Sequence, residues 1–204
     1  MSNENRNPTI VDSLVGIGYA PFTESINGGY TYENIVWLPD LEGGGRSFTA
    51  SPQGEFKKII ANGKAVILFK KRSGYDIKAT LMSLIDDVKE AWLGLKTTTT
   101  DGFAEYADSK PSPRFALVAA FSLYGSTKKK VETYFNCAAE DPERSAKGDS
   151  EDFDPDYPEY TIHAYPRKDM LVMTEEFVDT LPTTIAEPTF PSGNEEEEEE
   201  DGET

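Results

Sequence analysis

Apolar positions recur along the chain mostly with a period of two, the spacing that turns one face of a strand toward a core. "LVGIGYAPF", Leu14–Phe22, reads as a first strand, ended by Pro21 and the turn-rich "TESINGGY". "YTYENIVWL", Tyr30–Leu38, sets Ile35 and Trp37 on one face and Val36 and Leu38 on the other, and Pro39 stops it. "AVILFKKR", Ala65–Arg72, reads as a buried strand whose charged end emerges at a Ser-Gly turn. "YDIKATLMSL", Tyr75–Leu84, is expected to pair back onto it with Ile77, Ala79 and Leu81 facing inward.

The clearest pattern is "RFALVAAFSLYGSTKKKVETYFNCAA", Arg114–Ala139, two strands about a Gly-Ser turn. Its first strand is apolar on both faces, as a central strand of a packed sheet must be. Lys128–Lys130 mark a tip facing solvent or a partner, and the hairpin's edges are candidate contacts with another subunit. "YTIHAYP" and "MLVMTEEF" read as a second hairpin joined at "RKD". One helix is expected at "DDVKEAWLGL": Asp86 and Asp87 suit its N-terminus, Val88, Ala91 and Trp92 share a face, and Gly94 suits a left-handed cap. Strands dominate without βαβ alternation. The expected fold is mainly β, an antiparallel sandwich or barrel flanked by one helix, with a long loop and extended terminal arms.

The order of these elements divides the chain into an N-terminal arm (1–13), a β domain (14–180), an extended Pro/Thr-rich arm (181–193) and an acidic tail (194–204). Within the domain, "PDLEGGGRSFTASPQGEFKKIIANGK" (39–64) reads as a long loop. Gly43–Gly45 form a flexible joint, and short strands at Ser47–Ala50 and Glu55–Ile60 flank "SPQG".

Charge narrows the partners. The 204 residues carry 20 basic and 37 acidic side chains, a net −17, which argues against wrapping nucleic acid. DNA could still pass along an acidic wall without sticking. The tail holds eight of the acids, Glu195–Glu200, Asp201 and Glu203, and removing them leaves −9. A run of like charge with nothing to bury is expected to be disordered.

Candidate chemistry is sparse. One cysteine, Cys137, permits no disulfide within the chain and reads as a small core residue. The one histidine, His163, has no nucleophile signature with it and reads as structural. "DSEDFDPD", Asp149–Asp156, clusters carboxylates suited to Ca²⁺ but lacks the glycine and terminal glutamate of an EF-hand loop. The glycines of "EGGGR" and "INGGY" are not followed by Lys-Ser/Thr and a helix, so they are not phosphate loops. Tyr157, Tyr160 and Tyr165 suit either strand packing or a stacking platform. No catalytic, cofactor-binding or metal-binding residue is assigned, no cofactor is expected, and the chain reads as a non-enzyme. "MSNENRNPTIVDS" lacks a signal-peptide pattern, and no segment approaches the ~20 apolar residues of a membrane span. A reducing cytoplasm and no membrane insertion are expected.

In its ordered motifs the chain resembles the major tail proteins of long, non-contractile-tailed phages (siphoviruses). Tyr19-Ala20-Pro21 and Ser51-Pro52-Gln53-Gly54-Glu55 stand where that family has "Y-A-P" and "P-x-G-E". "GYDIKATLMSLIDDVKEAWLG" is similar to its strand-then-helix unit. Asn136-Cys137 and Ala164-Tyr165-Pro166-Arg167 match its "N-C" and "A-x-P-R" positions. The resemblance covers roughly Leu14 to Phe190; the acidic tail lies outside it. It implies a tail-tube subunit of the virion, assembled in the host bacterial cytoplasm as hexameric rings stacked into a tube that conducts DNA without binding it specifically. The implied partners are further copies of itself, a tape-measure protein, and tail-terminator and distal-tail proteins. The 39–64 segment and both arms would order on ring-to-ring contact. Two other readings stay open at this point: a tube protein of a contractile injection machine, and an acidic β-sandwich binding module with Ca²⁺ in "DSEDFDPD".

Overall fold

The computed structural model describes residues 10–24, 29–38, 44–61, 64–83, 86–98, 103–104, 111–143 and 157–189. The first strands are β1 (Val11–Glu24), β2 (Tyr30–Tyr32), β3 (Val36–Trp37), β4 (Gly45–Ala61) and β5 (Lys64–Leu81). Helix α1 (Asp86–Leu93) precedes a two-residue pair, β6 (Lys96–Thr97) and β7 (Phe103–Ala104). The chain continues through β8 (Phe115–Leu123), β9 (Lys129–Ala139), β10 (Glu159–Ala164) and β11 (Met173–Val178). Nine strands form one antiparallel sheet in the order β2-β1-β8-β9-β10-β5-β4, with β3 also on β1 and β11 also on β9. The sheet is open, and its halves fold over one another as a sandwich with the single helix.

Strand β8 explains this arrangement. Phe115 and Leu117 point into the main core with Ile17, Ile77, Tyr160 and Ile162. Val118 and Ala120 point the other way, into a smaller layer with Ala20, Ile35 and Val131. Apolar residues on both faces require cover on both. On the main side α1 supplies part of it. Trp92 stacks on Phe115 with centroids 5.1 Å apart and meets Tyr19 and Tyr160 edge-on at 5.9 and 5.2 Å. Gly94, at φ +68°, ends the helix as a left-handed cap, its N–H donating to Glu90 O at 3.1 Å.

The hairpin expected at 114–139 is present as β8–β9, and Ile77, Ala79 and Leu81 are fully buried. Other expectations need correction. The segment expected as a loop over 39–64 is a strand from Gly45 to Ala61, 17 residues long, and residues 39–43 and 62–63 lie outside the described residues. Ala65–Arg72 and Tyr75–Leu84 do not pair with each other. Ala65–Arg72 and Tyr75–Leu81 belong to one strand, β5, which pairs along its whole length with β4, and Leu84 lies outside the described residues. Ser-Gly at 73–74 is a bulge opposite Gln53 and Gly54, not a turn. Backbone crowding there admits only glycine, since a Cβ on Gly54 would stand 2.1 Å from Lys71 O. Gly45 is a close approach rather than a joint: a Cβ there would meet Ile17 at 2.6 Å, where β4 crosses β1.

The second expected hairpin is also absent. β10 and β11 both lie antiparallel to β9 along the same edge, β10 over Cys137–Ala139 and β11 over Lys129–Tyr134. Residues 165–172 loop out between them, closed by Tyr165 N–H to Asn136 O and Phe135 N–H to Val172 O, at 2.8 and 3.1 Å. The expected strand Tyr30–Leu38 is split at Glu33–Ile35 into β2 and β3, which pair with different parts of β1. The arm expected over 181–193 is docked as far as the described residues reach. Leu181 and Ile185 cover the smaller apolar layer, Trp37 Nε1–H donates to Pro182 O, and Ile35 N–H donates to Thr183 O, both at 2.8 Å. Residues 1–9 and 190–204 lie outside the described residues.

Trp92 joins the helix to three ring-bearing positions of the sheet, so Trp92→Ala should destabilise the fold by ~3–5 kcal/mol. Urea unfolding followed by circular dichroism measures this; a loss below ~1 kcal/mol would mean that the helix is not part of the core.

Candidate assembly surfaces

Among the described residues, main-chain groups lack strand partners at the two ends of the open sheet and along the part of β5 that β10 does not reach. β8 is not at an end: β1 fills one of its edges and β9 the other, and β9 in turn is filled by β10 and β11. The expectation that this central hairpin offers open edges is therefore corrected. Its lysine tip is also largely engaged. Lys130 pairs with Glu132 and Glu175 at 2.8 Å each, and Lys129 Nζ donates to Asp179 O at 3.3 Å.

The long free edge belongs to β4. Among the described residues it pairs with β5 alone, and Ser51–Glu55 are all exposed. Strand β10 pairs with β5 only over Tyr75–Thr80. From Gly54 to Arg72 the β4–β5 ladder therefore continues as a two-stranded ribbon, with no third strand among the described residues. Eight residues of β4 lie in it, Gly54–Ala61, giving a projection of about 25 Å. Pro52 sits within the exposed strand, in an edge position of the kind to which proline is confined in sheets.

At the root of this ribbon lies a cavity of about 460 Å³ between β4–β5 and β8–β9–β11. Phe48, Tyr75, Phe121 and Met173 line it, with the carboxylates of Glu132 and Glu175. Tyr134 O–H donates to Glu132 Oε2 at 2.8 Å, and burial followed by the Glu132 charge raises the tyrosine's pKa.

A second cluster sits in the loop between β10 and β11. Arg167, with only 7% of its side chain exposed, pairs with Asp169 at 2.6 Å and with Glu187 at 2.9 Å. Its guanidinium lies 4.5 Å from the Tyr30 ring centre and 5.3 Å from that of Phe135. Burial works against its charge, but hydrogen bonds to Glu187, Asp169 and Tyr32 outweigh this and raise its pKa. Burial also pushes the Tyr32 hydroxyl up to about 12. One arginine thus ties β2, β9 and the C-terminal segment together. In the sequence Arg167 stands in the "RKD" joint and in the "A-x-P-R" match; its partners Tyr32 and Glu187 lie 135 and 20 positions away, and no local pattern announces them.

His163 stands on the outer face of β10 between two carboxylates, Asp76 at 2.8 Å from Nδ1 and Glu140 at 2.9 Å from Nε2. The acids flank opposite sides of the ring rather than converge on a common point, and both favour its charged form. Hydrogen bonding to Glu140, then to Asp76, outweighs partial burial and raises the histidine's pKa. Cys137 is buried in the core as expected, and burial pushes its thiol up to about 12, against thiolate chemistry.

The three tyrosines do not share a platform. Tyr160 is buried against Trp92, Tyr157 lies under Arg46 at 4.1 Å, and Tyr165 is exposed beside Arg114 at 5.1 Å. The carboxylate cluster at 149–156 lies outside the described residues, among which no group of acids, histidines or cysteines could hold a metal. Among the described residues no helix is long and apolar enough to cross a membrane. The chain matches none of the protein-family models against which it was compared, and no curated protein matches it.

Two outcomes follow from these clusters. Arg167→Ala strips a buried cation from its partners and should cost roughly 2–4 kcal/mol, while Glu187→Gln should cost about 1 kcal/mol, both read by urea unfolding. His163 is the chain's one histidine, so its NMR titration is unambiguous. Its folded pKa should lie above the ordinary 6.5. The stabilisation from the charged ring is then complete below that ordinary value and is lost as pH rises through the folded pKa. In His163→Gln this part of the pH dependence should vanish.

Proposed function

We propose that this chain is a structural subunit that assembles with copies of itself into hexameric rings, stacked as the tail tube of a siphovirus. The tube would conduct DNA from the virion during ejection. The observation that carries this reading is the open antiparallel sheet ending in β4, a 17-residue strand whose outer edge is unpaired among the described residues. Such an edge offers a ready row of N–H and C=O groups to a strand of another copy. A ring closes when each subunit gives one surface and receives another, and the β2/β3 end of the same sheet is the natural counterpart.

Three further features agree. The resemblance of motif order runs through the elements that build this sheet. The β4–β5 ribbon, about 25 Å long, suits contact between rings. A net charge of −17 suits a conduit that must not retain DNA. Tape-measure, terminator and distal-tail proteins are the partners such a tube requires, and the virion tail is its place.

Negative-stain microscopy of the purified full chain at rising concentration tests the proposal. Rings or tubes of uniform diameter with six-fold end views are expected. Particles that stay monomeric at every concentration, with or without a tape-measure protein, would overturn it.

A further inference from the structure

We infer that the C-terminal segment 179–189 is a releasable strap that guards the outer edge of β3 against strand addition, with Arg167 and Glu187 as its clasp. The inference rests on the self-assembly proposed above, in which the β2/β3 end of the sheet receives another copy, and names what closes that end in the free chain.

The strand register shows which groups the strap occupies. β3 lies on β1 with Trp37 opposite Gly18 and Val36 opposite Tyr19, and Leu38 N–H donates to Ile17 O at 2.9 Å. Main-chain groups of alternate residues turn to the same neighbour, so those of Val36 and Leu38 face β1 and those of Ile35 and Trp37 face away from it. The Ile35 N–H that donates to Thr183 O at 2.8 Å therefore lies on the open side of β3, the side a further strand would use. Trp37 adds its indole N–H to Pro182 O at 2.8 Å. Leu181 and Ile185 pack against the layer that contains Ile35, Val118 and Val131. A strand that adds at Ile35 must first displace Thr183.

The strap is built to lift. It has no ladder of its own, Pro182 and Pro188 have no N–H to give, and Leu181 and Ile185 are only half-buried. The layer beneath keeps other cover, since Val15, Trp37 and Val178 pack on it as well. The clasp is asymmetric. Arg167 is buried and has partners outside the strap: Asp169 at 2.6 Å and the rings of Tyr30 and Phe135. Glu187 is 52% exposed, and both its oxygens lie on Arg167 Nη1, at 2.9 and 3.0 Å. Lifting the strap returns a half-hydrated acid to water and leaves the arginine in place for reclosure. A segment with few buried contacts and no ladder opens locally, at less cost than unfolding the sheet.

Amide exchange on the folded full chain, below its assembly concentration, reads the strap directly. Ile35 N–H should exchange through a local opening, faster than Val118 N–H in β8 and with little response to ~0–1 M urea, whereas the Val118 rate should climb with urea. Glu187→Gln, shown to be folded by circular dichroism, should speed Ile35 exchange about fivefold. Glu187→Lys, which sets a like charge against Arg167, should speed it further. In sedimentation velocity and negative stain the same variants should form rings at a lower protein concentration than wild type, about fivefold lower for Glu187→Gln. Ile35 exchange that coincides with that of Val118 at every urea concentration would overturn the releasable strap. Rings from both variants only at or above the wild-type concentration would overturn the guard and leave the tube reading intact. Wild type and variants that all stay monomeric at every concentration would overturn the tube reading and the guard with it.

Discussion

The fold is governed by the need to keep β8 dry on both sides. "FALVAAFSL" cannot turn either face to water, and the chain meets this with two unlike layers. On one side the sheet curls until β4 crosses β1, close enough that Gly45 can carry no side chain, and α1 sets Trp92 on Phe115. On the other side part of the cover has no regular structure: Leu181 and Ile185 lie along the smaller apolar layer, held by the Trp37 indole N–H on Pro182 O and the Ile35 N–H on Thr183 O. Arg167 matters because it fixes the far end of that cover. A segment without its own ladder loses much entropy on docking, and the ion pair from Arg167 Nη1 to both carboxylate oxygens of Glu187 helps to offset it.

Satisfying β8 decides where the remaining hydrogen-bonding capacity lies. Strands β1, β8 and β9 have both edges filled, β9 by sharing one edge between β10 and β11. The loop at 165–172 is the consequence: two strands placed end to end along one neighbour must expel the chain between them. That loop carries Arg167 and Asp169 to the rim, so the cluster holding the C-terminal segment is a by-product of the strand order. Unfilled capacity is displaced to the sheet's ends, above all to β4.

Much of this was legible in the sequence, and the misses share a cause. Period-two alternation found β1, β8, β9, β10 and β11, and the burial of Ile77, Ala79 and Leu81 followed from the same rule. The cap at Gly94 and the buried Cys137 were equally local matters. What failed depended on which strand pairs with which. "SPQG" and "RSG" look like turns because glycine and proline usually break strands, yet here they face one another as a bulge within a continuous ladder. "YPRKD" looks like a hairpin turn because nothing local says that the strands on either side share a third. Arg167 with Glu187 and His163 with Asp76 and Glu140 are invisible for the same reason: their partners are near only after the sheet forms.

The free edge of β4 is unusual in combining length with the devices that normally blunt an edge. Pro52 removes one donor, and register shifts at Gly45/Ser47, Gln53/Gly54 and Ile59/Ile60 twist the strand away from flatness. Each main-chain bond formed there with another copy is worth only ~0.5–1.5 kcal/mol, because the groups are hydrated beforehand. Mutual repulsion between chains of net −17 works against the same contact. A pairwise complex through this edge alone is therefore weak. Closure changes the balance, since the last subunit of a ring gains two contacts for one loss of translational freedom. An edge that is poor at capturing a single stray strand and good at closing a ring is suited to ordered assembly at high subunit concentration, and it resists promiscuous pairing at low concentration.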